Sequence, residues 1–276
     1  MGREFEQELS VAVDAAQKAG EYLLKRRSDA DGLSVNEKGI GDFVTEADKH
    51  SERIVTECVT GAFPTDSIVA EESGVRDGND TRRWFIDPLD GTANYVWDIS
   101  HYCVSIGFME GALIRVGVVY DPCRDELFTA VKGGGAFLNG RPVSVNQSFD
   151  NSRSMIATGF PFRNRRYMDV YLESFRAVAD IAGGIRRMGS AALDLCYTAM
   201  GRMDGFWELG LSSWDVAAGS LIVMEAGGAV SDLDGGDGYI ENGNTLGASA
   251  ACFPFLLQAV RTACIGTDLV TWKTDA

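Results

Sequence analysis

Histidine is scarce in this chain of 276 residues, and its cysteines are scattered. There are only two histidines, and none of the six cysteines forms a Cys-x-x-Cys pair. Zinc sites draw on clustered cysteine and histidine ligands, so we expect no zinc site. Dispersed cysteines are typical of reduced core residues, which indicates a cytoplasmic protein. His50 and His101 show no pattern of a catalytic histidine, so we expect both to be structural.

Long apolar runs and basic residues are also in short supply. No stretch of about 18 apolar residues occurs, which argues against a transmembrane helix, and the acidic N-terminus does not resemble a secretory signal. The chain has 25 basic and 40 acidic residues, so its formal net charge is −15. Nucleic acids bind basic surfaces and are therefore not expected as the main partner. A phosphorylated substrate would require bound divalent cations to offset this acidity.

The pattern of apolar residues predicts two differently built halves. Residues 1–150 contain an amphipathic helix over 4–27, then a polar loop over 28–41, and later several strands. Glycine-rich and Asn-Gly turns at 132–140 predict tight hairpins. Residues 151–276 alternate strands with helices, which is typical of a layered α/β unit. The boundary near residue 150 is marked by a polar stretch.

The densest group of polar residues follows a short apolar strand over 84–86. Pro88 fixes φ and lacks an N–H, so we expect the strand to end there and the chain to turn. A turn of helical sense would bring Asp87 and Asp90 to one side. Two adjacent carboxylates repel each other unless a proton or a cation lies between them. Such oxygen ligands suit Mg²⁺, Mn²⁺ or Ca²⁺ rather than zinc or copper.

The two residues that follow Asp90 supply groups for binding an anion. Gly91 allows close approach of the backbone to a ligand, and the N–H groups of Gly91 and Thr92 can face an anion. The Thr92 hydroxyl could orient water. A single Asp-Pro-x-Asp-Gly segment is usually a surface turn, so the functional interpretation depends on the rest of the chain.

Residues 42–48 (Asp-Phe-Val-Thr-Glu-Ala-Asp) contain the start of a helix that is predicted to run to about residue 62. Thr45 and Asp48 resemble a capping pair at its start. Asp42 has two interpretations that this segment leaves open. It is either a plain cap residue or an acceptor for a hydroxyl group in a site.

Two further segments carry acids at the ends of elements. Residues 70–73 (Ala-Glu-Glu-Ser) end a short strand, where only one of two adjacent acids can face a site. Residues 214–219 (Trp-Asp-Val-Ala-Ala-Gly) open a helix. There, Asp215 either stabilises the helix dipole or reaches a cation in front of the helix. Glu208 ends the preceding strand as a lone acid.

These four motifs, at 42–48, 70–73, 84–94 and 214–219, together resemble the inositol monophosphatase family, within the wider group of lithium-sensitive, magnesium-dependent phosphatases. The similarity extends over nearly the whole chain. It implies a layered αβαβα sandwich of the sugar-phosphatase type, with mixed α+β and α/β character. The resemblance also implies a homodimer and hydrolysis of a phosphate monoester with two or three Mg²⁺ ions per subunit. Mn²⁺ is expected as a substitute and lithium as an inhibitor.

By motif match, the resemblance implies oxygen ligands from three parts of the chain: Glu71, Asp87, the backbone carbonyl of Leu89, Asp90 and Asp215. The first three would hold one ion. Asp87 would share a second ion with the last two, and Glu71 would also serve a weaker third site. Thr92, hydrogen-bonded to Asp42, would orient the attacking water, and Glu71 would take part in catalysis.

The resemblance implies a second set of residues that contact the substrate: Gly91, Thr92, Ala191, Glu208 and Lys38. The N–H groups of the first two would bind phosphate, and Glu208 would contact inositol hydroxyls. Ala191 would form part of the substrate wall. Lys38 would lie near the phosphate.

The identity of the ester stays open, because the catalytic motifs do not distinguish related substrates. Glu208 favours a polyol, so hydrolysis of inositol 1-phosphate is the first hypothesis. Fructose 1,6-bisphosphate, histidinol phosphate, NADP and a nucleotide 3′-phosphate are alternatives; no base-stacking pocket is recognisable in the sequence. A third hypothesis is a regulatory protein that binds a protein partner on the same fold.

Overall fold

The computed structural model of the chain describes residues 4–28, 35–39, 42–162 and 165–264. The helices of this part are α1 (Glu6–Ser28), α2 (Glu46–Ala62), α3 (Thr92–Val96), α4 (Met168–Ala179), α5 (Ala191–Ala199), α6 (Ser213–Glu225), α7 (Tyr239–Asn242) and α8 (Phe253–Cys264), with a 3₁₀ turn at Arg165–Tyr167. None of them combines the length and the apolar character needed to cross a membrane.

The strands of the described part form three sheets. They are β1 (Val35–Gly39), β2 (Asp42–Thr45), β3 (Asp66–Ala70), β4 (Gly74–Arg76), β5 (Asn79–Asp90), β6 (Cys103–Glu110), β7 (Leu113–Asp121), β8 (Glu126–Val131), β9 (Gly135–Leu138), β10 (Arg141–Pro142), β11 (Met155–Thr158), β12 (Gly184–Arg186), β13 (Gly205–Glu208), β14 (Gly228–Ser231) and β15 (Thr245–Ser249). Strands β1 and β2 pair with each other as an antiparallel hairpin.

The two larger sheets use separate stretches of the chain. Eight strands are arranged in the order β10-β9-β8-β7-β6-β5-β3-β4, and only β3 and β5 run parallel. Five strands are arranged in the order β12-β11-β13-β15-β14, with β11 parallel to both of its neighbours. A division of the whole chain at residue 150 stays a prediction.

Helices cover these sheets to give five layers. Helices α1 and α2 pack on one face of the large sheet through a cluster that includes Leu23, Val55 and Trp84. Helices α5 and α6 lie between the two sheets, and α4 and α8 cover the outer face of the small one. Residues 215–223 of α6 are all buried, because a helix between two sheets has apolar neighbours all round. The predicted αβαβα sandwich is confirmed.

The helix predicted from residue 45 is also confirmed. Thr45 Oγ1 accepts a hydrogen bond from the Ala47 N–H (3.0 Å), and Asp48 Oδ2 accepts one from the Thr45 N–H (2.7 Å). These bonds satisfy amide groups that no preceding helical turn could pair. The hairpins predicted at 132–140 are present as β8, β9 and β10.

Two predictions of local structure are wrong. The polar stretch 28–41 was expected to be a loop, but residues 35–39 form β1, because pairing with β2 satisfies their backbone groups without an apolar face. The strand before Pro88 was expected to end at Ile86, but β5 continues to Asp90. Its pairing with β6 is irregular between Asp87 and Asp90, so Pro88 lies where no N–H is required by the ladder.

Candidate active site

One cavity collects nine of the eleven residues predicted for the site: Glu71, Asp87, Leu89, Asp90, Gly91, Thr92, Ala191, Glu208 and Asp215. They come from the end of β3, the end of β5, the start of α3, the start of α5, the end of β13 and the start of α6. The side chains of the other two, Lys38 and Asp42, lie outside the described residues.

The two aspartates of β5 are held by hydrogen bonds at the floor of the cavity. Asp87 is buried, and its Oδ1 accepts a bond from the Leu89 N–H (3.0 Å). Asp90 Oδ2 accepts bonds from Ser190 Oγ (2.7 Å) and from the Ala192 N–H (2.8 Å) at the start of α5. The N-terminus of α5 therefore fixes the orientation of the Asp90 carboxylate, which lies at the end of β5 in the large sheet.

Asp215 caps its helix and also lines the cavity, while its contact with a cation stays a prediction. Its Oδ2 accepts a bond from the Ser212 N–H (2.6 Å) and so caps α6, while the residue also lines the cavity. Glu71 lines the cavity too, and its N–H donates to the Ile86 carbonyl (3.2 Å). The adjacent Glu72 does not line it, so only one of the two acids faces the cavity, although both lie in the turn after β3 rather than on the expected strand.

The cavity concentrates negative charge. Burial, together with the neighbouring Glu71, Asp90 and Asp215, raises the pKa of Asp87 well above its ordinary value. Arg187 is the single cationic side chain among the described residues of the lining. Carboxylates crowded in this way favour a bound cation, and an all-oxygen donor set fits Mg²⁺ or Mn²⁺. As the side chains are placed in the described part of the chain, no group of three or more acidic, histidine or cysteine side chains is arranged to hold a metal ion.

The hydroxyl of Thr92 has a carboxylate partner on α2. Thr92 Oγ1 lies 2.8 Å from Asp48 Oδ1 and 3.0 Å from the Leu89 carbonyl. Among the described side chains, the carboxylate partner of Thr92 is therefore Asp48, which the sequence analysis uses only as a helix cap; the expected bond to Asp42 stays a prediction. The cap uses only one carboxylate oxygen of Asp48. The second oxygen was therefore available for another partner, and this was the one signal in the sequence for a further role of Asp48.

Gly91 occupies a crowded bend with a positive φ of 99°. A Cβ at this position would lie 3.0 Å from the His101 carbonyl oxygen and 3.3 Å from that of Gly189. Asn94 supports the bend, because its Nδ2 donates to the carbonyls of His101 (2.7 Å) and Met188 (2.8 Å). This side chain links α3 to the segment that precedes α5, a role that the sequence analysis does not predict.

Neither histidine lines the cavity. His50 stacks on the Tyr22 ring at a centroid distance of 4.1 Å. His101 is buried, and burial together with the nearby Arg124 lowers its pKa to about 4. It is therefore neutral at pH 7, and the structural role expected of both histidines stays a prediction.

Aromatic and basic residues that the sequence did not reveal border the far side of the cavity. Phe162 and Arg187 line it, and the Arg187 guanidinium lies 5.4 Å from the centroid of the Phe160 ring. A small recess beside Glu208 is bordered by both phenylalanines. No spacing in the sequence marked these residues, because they meet Glu208 only through the fold.

A family model described as the inositol monophosphatase family matches residues 4–264. The chain belongs to the inositol monophosphatase family. Among its relatives, Nus factor SuhB of Haemophilus influenzae is 43% identical over 261 residues, which cover 94% of this chain and 97% of the relative.

Solved structures agree with this membership of the inositol monophosphatase family. Extragenic suppressor protein suhB from Bartonella henselae superposes with a TM-score of 0.89 at 40% identity, covering 93% of this chain and 99% of that one. Inositol monophosphatase from Anabaena (Nostoc) gives a TM-score of 0.84 at 38% identity, covering 94% and 97%.

Proposed function

We propose that the chain is a Mg²⁺-dependent phosphate monoester hydrolase whose preferred substrate is inositol 1-phosphate. The observation that supports it is the meeting of Glu71, Asp87, Asp90 and Asp215 in one cavity beside Gly91 and Thr92, in a member of the inositol monophosphatase family. The proposal includes a cytoplasmic homodimer, which sedimentation would test.

The four acids, with the Leu89 carbonyl, would hold two or three Mg²⁺ ions. When bound, such ions lower the pKa of coordinated water and offset charge on the phosphoryl and leaving oxygens. The N–H groups of Gly91 and Thr92 would bind phosphate oxygens. Glu208 would accept hydrogen bonds from substrate hydroxyls beside Ala191. Lys38 near the phosphate stays a prediction.

Thr92 would position the attacking water. Its hydroxyl has one proton, and a bond to the Asp48 carboxylate is the stronger of its two choices because it is charge-assisted. Donation to Asp48 leaves the lone pairs of Oγ1 as acceptors for a proton of the water. This arrangement aims the oxygen of the water at the phosphorus.

A panel of phosphate esters tests the proposed substrate. Phosphate release with Mg²⁺ would be compared for inositol 1-phosphate, fructose 1,6-bisphosphate, histidinol phosphate, NADP and a nucleotide 3′-phosphate. We expect the highest kcat/KM for inositol 1-phosphate, inhibition by lithium, and inhibition by Ca²⁺, whose looser coordination misplaces water. Absence of hydrolysis of every ester would refute the function. A preference for the nucleotide 3′-phosphate would instead indicate that the recess bordered by Phe160 and Phe162 binds the base of the nucleotide.

Substitution of Asp48 tests the assignment of the Thr92 partner. We expect Asp48→Asn to lower kcat by roughly a hundredfold, which is typical for loss of a group that orients a proton transfer. Asp42→Asn is the matched control and should change kcat by less than about threefold, because Asp48 already occupies the Thr92 hydroxyl. A larger loss of kcat in Asp42→Asn would support Asp42 as the hydrogen-bond partner of Thr92.

A protein-binding role is a second candidate, because a relative with 43% identity carries the name Nus factor SuhB. Such a role would be separate from hydrolysis. It would be tested with the wild-type chain and Asp90→Asn as baits. Retention of the same specific partner by both would support a separate role, and loss with the variant would tie binding to the catalytic cavity.

A further inference from the structure

Three buried polar residues lie on one face of α2. Asp48, Ser51 and Glu52 are at most 4% exposed, and they occur at the i, i+3 and i+4 positions of the helix. Buried polar side chains are nearly always hydrogen-bonded, so each must find a partner across the helix interface. The partners lie in three different segments, and each segment also supplies a residue to the lining of the cavity.

Glu52 holds the turn that follows Glu71. Its Oε2 accepts a hydrogen bond from the Glu72 N–H (2.7 Å), and its Oε1 accepts one from the Ser73 N–H (2.8 Å). Bonds to an ionised carboxylate are stronger than bonds between neutral groups. On its other side, Glu71 donates its own N–H to the Ile86 carbonyl. The backbone of Glu71 is therefore fixed by β5 before it and by Glu52 after it.

Ser51 holds the irregular end of β5. Its Oγ donates to the Pro88 carbonyl at 2.7 Å. Pro88 lies between Asp87 and Leu89, where the pairing with β6 is irregular. The serine hydroxyl supplies a donor to a carbonyl in this stretch. Asp48, on the same face, reaches Thr92.

We propose that α2 acts as a positioning helix for the cavity, and that Glu52 sets the place of Glu71 as a metal ligand. This inference rests on the proposed function. Glu52 is not itself a ligand candidate, because both of its oxygens take amide N–H groups and it does not line the cavity. Its effect on a bound ion is transmitted through the backbone of residues 71–73.

The test compares Glu52→Gln with Glu57→Gln. Glu57 lies on the same helix and its side chain is 72% exposed, so it receives the identical change without a buried contact. Mn²⁺ affinity would be measured by calorimetry without substrate. The half-saturating Mg²⁺ concentration would be measured in the phosphatase assay, and the Tm would be measured without metal. A glutamine can accept from only one of the two amide groups and directs an NH₂ group at the other.

We expect Glu52→Gln to weaken Mn²⁺ binding by about tenfold, the usual cost of losing a group that orients a metal ligand. The half-saturating Mg²⁺ concentration should rise similarly, and kcat at saturating Mg²⁺ should change by less than about threefold. Glu57→Gln should match the wild type. Ser51→Ala, which removes one hydrogen bond, should weaken binding less, by about threefold, and provides the test if Glu52→Gln does not fold.

Wild-type Mn²⁺ affinity in both Glu52→Gln and Ser51→Ala, with a lowered Tm, would overturn the proposal and leave only a structural role. Failure of the proposed function gives a different result. The wild type would then hydrolyse no ester, while its Mn²⁺ affinity and the loss in Glu52→Gln would still be measurable.

Discussion

Asp90→Asn is expected to lower kcat by at least about a thousandfold, which corresponds to roughly 4 kcal/mol of transition-state stabilisation. Asp90 Oδ2 accepts bonds from Ser190 Oγ and the Ala192 N–H, so the side chain has a fixed orientation. An asparagine can keep these two bonds only by placing its oxygen there, which turns the NH₂ group toward the cavity. A donor group in that position repels a cation. The opposite orientation loses both bonds.

The same variant should keep its fold. Asp87, buried beside three other acids, has a raised pKa, and removal of one of those charges reduces the repulsion. We therefore expect the Tm of metal-free Asp90→Asn to equal or exceed that of the wild type. Phosphate release, Mn²⁺ calorimetry and thermal denaturation would be measured together. Asp77→Asn, at an exposed position, is the matched control. Full activity in Asp90→Asn would show that the proposed ligand set is wrong.

Local signals in the sequence were sufficient for the elements and for the segments that meet in the cavity. The capping pair of α2 and the Asn-Gly turn before β10 each involve residues close together in the chain. Each of the four acidic motifs alone also fits a turn or a helix cap, and they were recognisable because together they resemble the inositol monophosphatase family.

Contacts between residues far apart in the chain could not be predicted from the sequence pattern. Asp90 and Ser190 are separated by 100 residues, and nothing in either segment encodes the bond between them. Asp48 was recognised as a cap, but its second oxygen meets Thr92 only because α2 crosses the end of β5. Pro88 was interpreted as a strand terminator because proline lacks an N–H, and the sequence does not show whether the neighbouring strand requires a donor at that position. The irregular pairing of Asp87–Asp90 with β6 removes that requirement.

Close packing between the large sheet and α6 leads to the largest loss of stability that we predict. Gly107 and Gly117 face each other on β6 and β7, directly beneath α6. A Cβ at Gly117 would lie 2.6 Å from the Ala218 carbonyl oxygen, and one at Gly107 would lie 2.8 Å from Ala217 Cβ. A backbone oxygen of a helix cannot move aside as a side chain can. Any larger residue at Gly117 must therefore displace α6 itself.

We expect Gly117→Ala to lower the free energy of unfolding by about 3 kcal/mol, at the upper end of the usual cost of overpacking. Gly61→Ala is the matched control, because no atom of the described residues lies within 4 Å of a Cβ built there and the position is helical. It should stabilise the protein by about 0.5–1 kcal/mol. Urea denaturation would measure both changes. A loss below about 1 kcal/mol at Gly117 would show that α6 can move outward at little cost.

The displacement of α6 has a second consequence, because Asp215 is in the first turn of this helix. The folded fraction of Gly117→Ala is expected to bind Mn²⁺ more weakly than the wild type, by about tenfold if the Asp215 carboxylate moves away from Asp87 and Asp90. Calorimetry at a temperature where the variant is still folded would separate this effect from unfolding. Since the glycine is remote from the cavity lining, such a change would show that packing between the large sheet and α6 determines the geometry of the metal site.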